Sequence, residues 1–98
     1  MRGVSFEWDE KKNVSNKKKH GVSFEEAQTV FIDENALLIH DPDHSDEEDQ
    51  FILLGLSSKF RILVVCYCYR KSDEIIRIIS ARKATRPEQK EYRDRWLK

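Results

Sequence analysis

Three apolar, alternating segments follow one another in the second half of the chain, and this pattern restricts the possible fold most. The segments cover residues 51–56, 60–70 and 74–81, and short polar triplets, Ser57–Lys59 and Lys71–Asp73, separate them. Alternation with a period of two is typical of strands, and connections this short join antiparallel neighbours. The chain is therefore predicted to contain a mostly antiparallel sheet.

Local signals predict two further strands and a first helix. Residues 4–8 and 36–40 have the composition of short strands. Asp9 is placed to cap a lysine-rich helix over residues 10–20, whose only obvious apolar anchor is Val14. The glycine that follows this helix suits the left-handed conformation that commonly ends one.

Two stretches have the spacing of a capping box, in which Ser or Thr and a Glu three residues later close the start of a helix. Ser23–Glu26 predicts the second helix, and Thr85–Glu88 predicts a terminal helix with apolar positions at Tyr92 and Trp96. The complete order is βααββββα. We expect an α+β fold with helices packed on the sheet, in one domain of residues 1–98.

The formal net charge is zero, but the charges are segregated along the chain. Residues 1–20 carry six Lys or Arg against three Asp or Glu, residues 21–58 carry none against ten, and residues 59–98 carry twelve against five. A folded chain can gather its two basic ends on one surface, and such a surface attracts phosphate.

Cys66 and Cys68 lie two positions apart on one predicted strand, which is unfavourable for a disulfide. We therefore expect thiols in a reducing compartment. No segment approaches the run of about 18 apolar residues that a membrane helix needs, and the N-terminus lacks an apolar signal core. A cytoplasmic protein is the simplest interpretation.

A metal site is disfavoured in the acidic segment 41–49. A calcium loop would need Gly at Asp46 and Glu at Ile52. A zinc site that combines His40 and His44 with the two cysteines lacks the usual ligand spacing, because Cys-x-Cys lies within a strand. Neither a metal nor another cofactor is expected.

Basic side chains gather on the last strands and at the end of the first helix. Those on the last strands and their exits are Arg61, Arg70, Arg77, Arg82, Lys83 and Arg86. A guanidinium offers a fixed fork of donors that suits phosphate, although any one of these residues could simply lie along the sheet in water. By alternation, Arg77 would share a face with Ile75 and Ile79, and Ser80 would lie on the other face with Ile76 and Ile78.

The sequence shows no Ser-His-Asp set, Gly-rich phosphate loop, catalytic carboxylate pair or dinucleotide fingerprint. A site of Arg, Lys and His can still bind a phosphodiester, orient a ribose 2′-hydroxyl and stabilise transition-state charge without a metal. Metal-independent RNA cleavage fits, because RNA carries its own nucleophile. The alternative is a non-catalytic RNA- or DNA-binding regulator that uses the same basic face.

Three blocks of the sequence resemble BrnT toxins, the ribonuclease members of BrnT/BrnA toxin-antitoxin pairs. The blocks are residues 6–13, 19–27 and 77–85, and their order and spacing match over nearly the whole chain. The resemblance implies a RelE-like fold and RNA cleavage that stops translation. It also implies neutralisation by a BrnA-like antitoxin, whose ribbon-helix-helix portion binds operator DNA.

The resemblance also suggests site residues. Those that fall on the family pattern are Lys19, His20, Arg70, Arg77, Arg82 and Lys83. His20 is the preferred general acid or base, since a helix C-terminus favours its protonated form, although a lone histidine there more often caps the helix. Arg70, Arg77 and Arg82 complete the expected catalytic set. The expected RNA contacts are Lys19, Lys83, Arg61, which is added from charge geometry alone, and Tyr92, a reserve for proton transfer.

Overall fold

The computed structural model describes residues 4–39, 50–71 and 74–96 and shows an α+β fold, as predicted. The elements are β1 (Ser5–Glu7), α1 (Glu10–His20), α2 (Phe24–Thr29), a 3-10 turn (Val30–Ile32), β2 (Leu37–Ile39), β3 (Gln50–Leu56), β4 (Ile62–Arg70), β5 (Ile75–Lys83) and α3 (Arg86–Trp96). His40, the acidic segment 41–49 with His44, and the turn residues Ser72 and Asp73 lie outside the described residues. Within the described ranges, no helix is both long and apolar enough to cross a membrane.

The five strands form one sheet in the order β1, β5, β4, β3, β2. Among the described strands, β1 and β5 pair in parallel, and the other three pairs are antiparallel. β5 is longer than predicted, so that Arg82 and Lys83 belong to the strand and not to its exit. β4 begins later than predicted, at Ile62, because Phe60 adopts a left-handed backbone conformation (φ 62°) in the preceding turn.

Helices α1 and α2 cover the first face of the sheet. The side chains at their contact with it are at most 1% exposed: Val22, Phe24, Ala27, Val30, Leu63, Val65, Ile78 and Ala81. The predicted caps fix where the helices begin and end. The Asp9 carboxylate accepts the N–H of Lys11 at 2.8 Å, Gly21 ends α1 with φ 72°, and the Ser23 hydroxyl accepts the N–H of Glu26 at 3.0 Å.

The second face of the sheet is covered only in part. Tyr92 of α3 packs there with Leu54, Val64 and Ala84 in a second buried cluster. The side chain of Trp96, the other predicted apolar position of this helix, lies outside the described residues. Among the described residues, α3 covers one half of this face, and the opposite half carries charged and polar side chains together with the buried Cys68.

A bulge in β5 changes which side chains share a face. Cys66 pairs with Ser80 and Tyr67 pairs with Ile78, so Ile79 has no counterpart on β4. An extra residue of this kind shifts the alternation of the strand by one position. The predicted grouping of Ser80 with Ile78 is therefore wrong, because residues after the bulge exchange faces.

A buried asparagine attaches α1 to the edge of the sheet. The predicted anchor, Val14, is 50% exposed, whereas Asn16 is 8% exposed. The Asn16 amide nitrogen donates to the carbonyl of Ala81 at 2.8 Å and to that of Val22 at 2.9 Å. Its amide oxygen accepts the N–H of Ala81 at 3.3 Å. Asn16 thus satisfies both backbone groups of Ala81, as a neighbouring strand would.

Asn13 joins α1 to α2 in a similar way, through hydrogen bonds of its side-chain amide. Its amide oxygen accepts the backbone N–H of Phe24 at 2.8 Å, and its amide nitrogen donates to the Glu25 carboxylate at 3.0 Å. The two asparagines lie three positions apart, so they share one side of the helix. α1 therefore rests on the fold through hydrogen bonds more than through apolar contacts.

We predict that Asn16→Ala lowers the free energy of unfolding by about 1–3 kcal/mol, because the buried N–H and C=O of Ala81 lose their partner. Urea denaturation measures this change. Val14→Ala on the same helix is the control and should change stability by no more than about 0.5 kcal/mol. Equal effects of the two substitutions would contradict the role assigned to Asn16.

Candidate functional site

The uncovered half of the second sheet face gathers three of the predicted site residues. Arg77 lies opposite Cys68, and Arg82 lies opposite Val64, on strands whose alternation places these side chains on the face of α3. Five positions separate the two arginines, so an unbroken strand would direct them to opposite faces. The bulge brings them onto the same face. We call the surface formed by Cys66, Arg70, Arg77, Ser80 and Arg82 the open face.

Arg82 borders α3 and is held there by the cap of that helix. Its two terminal nitrogens donate to the two carboxylate oxygens of Glu88 at 2.8 and 2.9 Å. Glu88 also accepts the N–H of Thr85 at 2.8 Å, which completes the predicted capping box. The hydrogen bonds from Arg82, opposed by burial and assisted by the Thr85 N–H, lower the pKa of Glu88 to about 2. The Arg82 side chain is nevertheless 42% exposed.

Arg77 is held in a similar way by the strand beside it. One terminal nitrogen donates to the Glu7 carboxylate at 2.7 Å. Glu7 and Arg77 are register partners of the parallel pair β1 and β5, and each side chain is about one third exposed, at 36% and 32%. Both arginines are thus oriented by a carboxylate, and both side chains are partly exposed. This arrangement suits binding of a phosphate group.

Ser80 lies between these arginines on the open face and is exposed. Its partner across the ladder, Cys66, contacts the amide oxygen of Gln50 through its thiol, with sulfur and oxygen 3.6 Å apart. Arg70 is exposed at the end of β4, opposite Ile75. The open face therefore offers three guanidinium groups and one hydroxyl.

Three other predicted residues lie on the opposite side of the sheet. Lys83 pairs with Leu63, whose side chain belongs to the core beneath α1 and α2. The Lys83 ammonium lies close to Gly21. Its Nζ is 3.9 Å from the point that a Cβ of residue 21 would occupy. Lys19 is exposed and His20 is half-buried at the adjacent end of α1. We call Lys19, His20 and Lys83 the α1-end cluster. This cluster lies on the side of the sheet that α1 covers, and its Lys19 reaches the edge of β5 beside Ile79.

Arg61 has a different environment from the one expected of an RNA contact. Its guanidinium forms an ion pair with Glu26, whose side chain is only 2% exposed, and it donates to the carbonyl of Gly21 at 3.0 Å. Burial raises the pKa of Glu26, but the hydrogen bonds from Arg61 and Ser57 outweigh this effect and lower it overall. Glu26 therefore bonds across the fold and does not complete its capping box. Arg61 ties the turn before β4 to both helices.

Tyr92 is buried and its hydroxyl is already bonded. It is 4% exposed, and the hydroxyl donates to the Asp33 carboxylate at 2.6 Å. The same oxygen of Asp33 accepts the N–H of Leu56 at 2.8 Å. Burial and the contact with Asp33 raise the pKa of Tyr92. In this position Tyr92 packs α3 against the sheet, and only 4% of its surface is exposed.

Sequence reasoning missed Ser80, Glu7 and Glu88 as parts of the site. The spacing of Thr85 and Glu88 predicted a helix cap, but it did not indicate that the same carboxylate would orient Arg82. Nothing in the sequence signals the bulge that brings Ser80 between the arginines.

The chain matches a family model described as the ribonuclease toxin BrnT of type II toxin-antitoxin systems, over residues 8–88. Its fold is similar to the crystal structure of the Brucella abortus ribonuclease toxin BrnT, with a TM-score of 0.66 and 22% sequence identity. That similarity covers 85% of this chain and 99% of the Brucella chain. No curated protein sequence gives a significant match.

The contact between Arg82 and Glu88 predicts a specific acid sensitivity. Folding lowers the pKa of this carboxylate from 4.5 to about 2. The charged carboxylate therefore stabilises the folded protein fully at a pH above 4.5, and this stabilisation is lost as the pH falls from 4.5 through about 2. Glu88→Gln should therefore lose less stability than the wild type between about pH 5 and pH 2. Urea denaturation at a series of pH values measures this difference. Glu91→Gln, at an exposed position of the same helix, removes the same charge as a control. A Glu88→Gln profile parallel to the wild type would contradict the account.

Proposed function

The chain belongs to the BrnT family of ribonuclease toxins of type II toxin-antitoxin systems, and from this premise we propose that it is a metal-independent endoribonuclease whose RNA cleavage stops translation. The observation that carries the proposal is the open face, where Arg77 and Arg82 lie on one surface with Ser80 between them. Carboxylates orient both arginines, so little reorganisation is required when a phosphate binds. The family supplies the reaction class, and the geometry suggests where the reaction takes place.

In the proposed reaction, the ribose 2′-oxygen attacks the adjacent phosphorus, and the bond from phosphorus to the 5′-oxygen breaks. The products are a 2′,3′-cyclic phosphate and a 5′-hydroxyl, and the proton lost by the 2′-hydroxyl is balanced by one delivered to the 5′-oxygen. Negative charge increases on the phosphoryl oxygens in the transition state. Arg77 and Arg82 are proposed to stabilise that charge, which requires no metal ion. Arg70 is proposed to hold the phosphate backbone at the other end of the open face.

His20 is the proposed proton-transfer residue, together with Lys19 and Lys83 as RNA contacts. The α1-end cluster lies across the sheet from the arginines, but Arg82 and Lys83 are consecutive residues of β5 that point to opposite sides. A single RNA strand that crosses the end of β5 would meet both surfaces. In this proposal the scissile nucleotide lies at that crossing, where His20 can exchange a proton with the ribose or with the leaving group.

The proposed partner is a BrnA-like antitoxin with a ribbon-helix-helix portion, through which the toxin associates indirectly with operator DNA. We propose that acidic or apolar parts of the antitoxin cover the open face and exclude RNA. The proposed site of action is the cytoplasm.

We predict that the purified protein cleaves RNA in the presence of EDTA, and that Arg77→Ala or Arg82→Ala reduces kcat by about 100- to 1000-fold, the effect typical of removing one preorganised donor. The loss in RNA affinity should be much smaller. Single-turnover cleavage and RNA binding, measured on the same variants, separate the two quantities.

Arg93→Ala is the matched control, because it removes one exposed positive charge from α3 and Arg93 is not among the residues that form the open face. Arg77→Lys tests whether the planar guanidinium group is needed, since lysine keeps the positive charge but lacks the fixed pair of donors. A strict requirement for added divalent metal would exclude the proposed mechanism. Loss of affinity without loss of turnover would favour the non-catalytic regulator.

A further inference from the structure

The edge of β5 beyond Arg77 is bordered by a helix. β1 pairs with β5 only from Ile75 to Arg77. Further along the strand, the backbone of Ala81 is satisfied by Asn16 of α1. α1 therefore lies along this stretch of the strand, where a longer β1 would otherwise run, and its side chains border the open face at the edge of the sheet.

A cavity of about 200 Å³ opens between α1 and this edge. Its lining consists of Lys12, Ser15, Asn16, Lys19 and Ile79. The cavity is open to solvent and has room for one small anionic group. We call it the β5-edge cavity.

Most of the surface of this opening is apolar, but its polar groups suit an anion. Lys12, Ser15 and Lys19 are exposed and lie at intervals of three and four residues, so they form one stripe along the helix. Their ammonium and hydroxyl groups can all donate hydrogen bonds. Among the described residues that line the cavity none is acidic, and the amide of Asn16 is already bonded to backbone groups. The described part of the lining thus offers two cations and one hydroxyl and no carboxylate.

The position of Ile79 connects this cavity to the open face. Ile79 is the bulge residue of β5, and it lines the cavity, while the next residue, Ser80, lies on the open face between the arginines. A strand of RNA bound across Ser80 and leaving over the edge of β5 would therefore reach the cavity directly.

We propose that the β5-edge cavity binds a backbone phosphate of the RNA flanking the cleaved nucleotide, an inference that rests on the proposed function. Lys12 and Lys19 neutralise the phosphate and Ser15 donates a hydrogen bond to it. The cavity contributes affinity and fixes the path of the RNA, and the arginines of the open face act on the scissile phosphate. Contacts of this type are independent of base sequence and sensitive to salt.

The test compares two double variants that remove equal charge from the same helix. Lys12→Ala/Lys19→Ala removes both cavity lysines. Lys11→Ala/Lys18→Ala has the same spacing of seven residues, but neither of its lysines lines the cavity. All four side chains are exposed, so both variants are expected to fold, which thermal unfolding checks. The probe is a fluorescent RNA of about 12 nucleotides, a length comparable to known single-strand binding sites. It is methylated at every 2′-oxygen, so this reaction cannot cleave it.

Fluorescence anisotropy at several salt concentrations gives Kd and its salt dependence. Each lost phosphate contact lowers the slope of log K against log salt by about 0.7 for single strands, so the cavity variant, which loses its one phosphate contact, should lose about 0.7. This corresponds to about 5-fold in Kd at 0.1 M salt if the two proteins bind equally at 1 M. The control variant should retain a slope closer to that of the wild type.

Equal slopes for the two double variants would overturn the inference, as would a cavity variant that binds RNA normally but resists inhibition by its antitoxin. The second result would assign the cavity to the antitoxin. Cleavage of unmodified RNA by the wild type is measured in parallel. If the wild type cleaves RNA and the slopes are equal, only the phosphate contact at the cavity is rejected. If the wild type does not cleave RNA, the proposed function is rejected.

Discussion

The hydrogen bonds between Asn16 and Ala81 are the interaction on which the arrangement of this protein most depends. They connect residues 65 positions apart, and they attach a helix with little apolar surface to the unpaired edge of a central strand. An apolar contact would tolerate small rotations of α1, but a side-chain amide that serves both an N–H and a C=O fixes its position and rotation. The same contact determines that α1 covers one face of the sheet and borders the other.

The bulge at Ile79 is the second determinant, because it decides what the uncovered face presents. Arg77 and Arg82 share a face only through this one extra residue. Each is then oriented by a carboxylate from the neighbouring element, Glu7 on β1 and Glu88 on α3. Because these ion pairs are partly exposed, each contributes little to the free energy of unfolding. Their more important effect is to orient the guanidinium groups. A surface that holds its cations in place before the substrate arrives is well suited to stabilising a charged transition state.

Local chemistry made much of the fold predictable from the sequence. Asp9, Gly21, Ser23 and Thr85 act through neighbours within four residues, so their patterns gave the helix ends correctly. Alternation gave the strands and their antiparallel pairing. The failures concern interactions between distant residues. Burial of Asn16 depends on a strand edge that exists only after folding, and the bulge leaves no local signal. A charge pattern alone also could not distinguish Arg61, which is bonded to the buried Glu26, from the arginines of the open face.

The central claim is that RNA lies on the open face. The most direct measurement is the set of backbone amide chemical-shift changes in isotopically labelled protein when the uncleavable 2′-O-methylated RNA is added. The account predicts the largest changes at Arg77, Ser80 and Arg82, extending over the edge of β5 to Lys12 and Lys19. Changes confined to the outer surface of the 3-10 turn and the turn before β4, with none at Ser80, would contradict it.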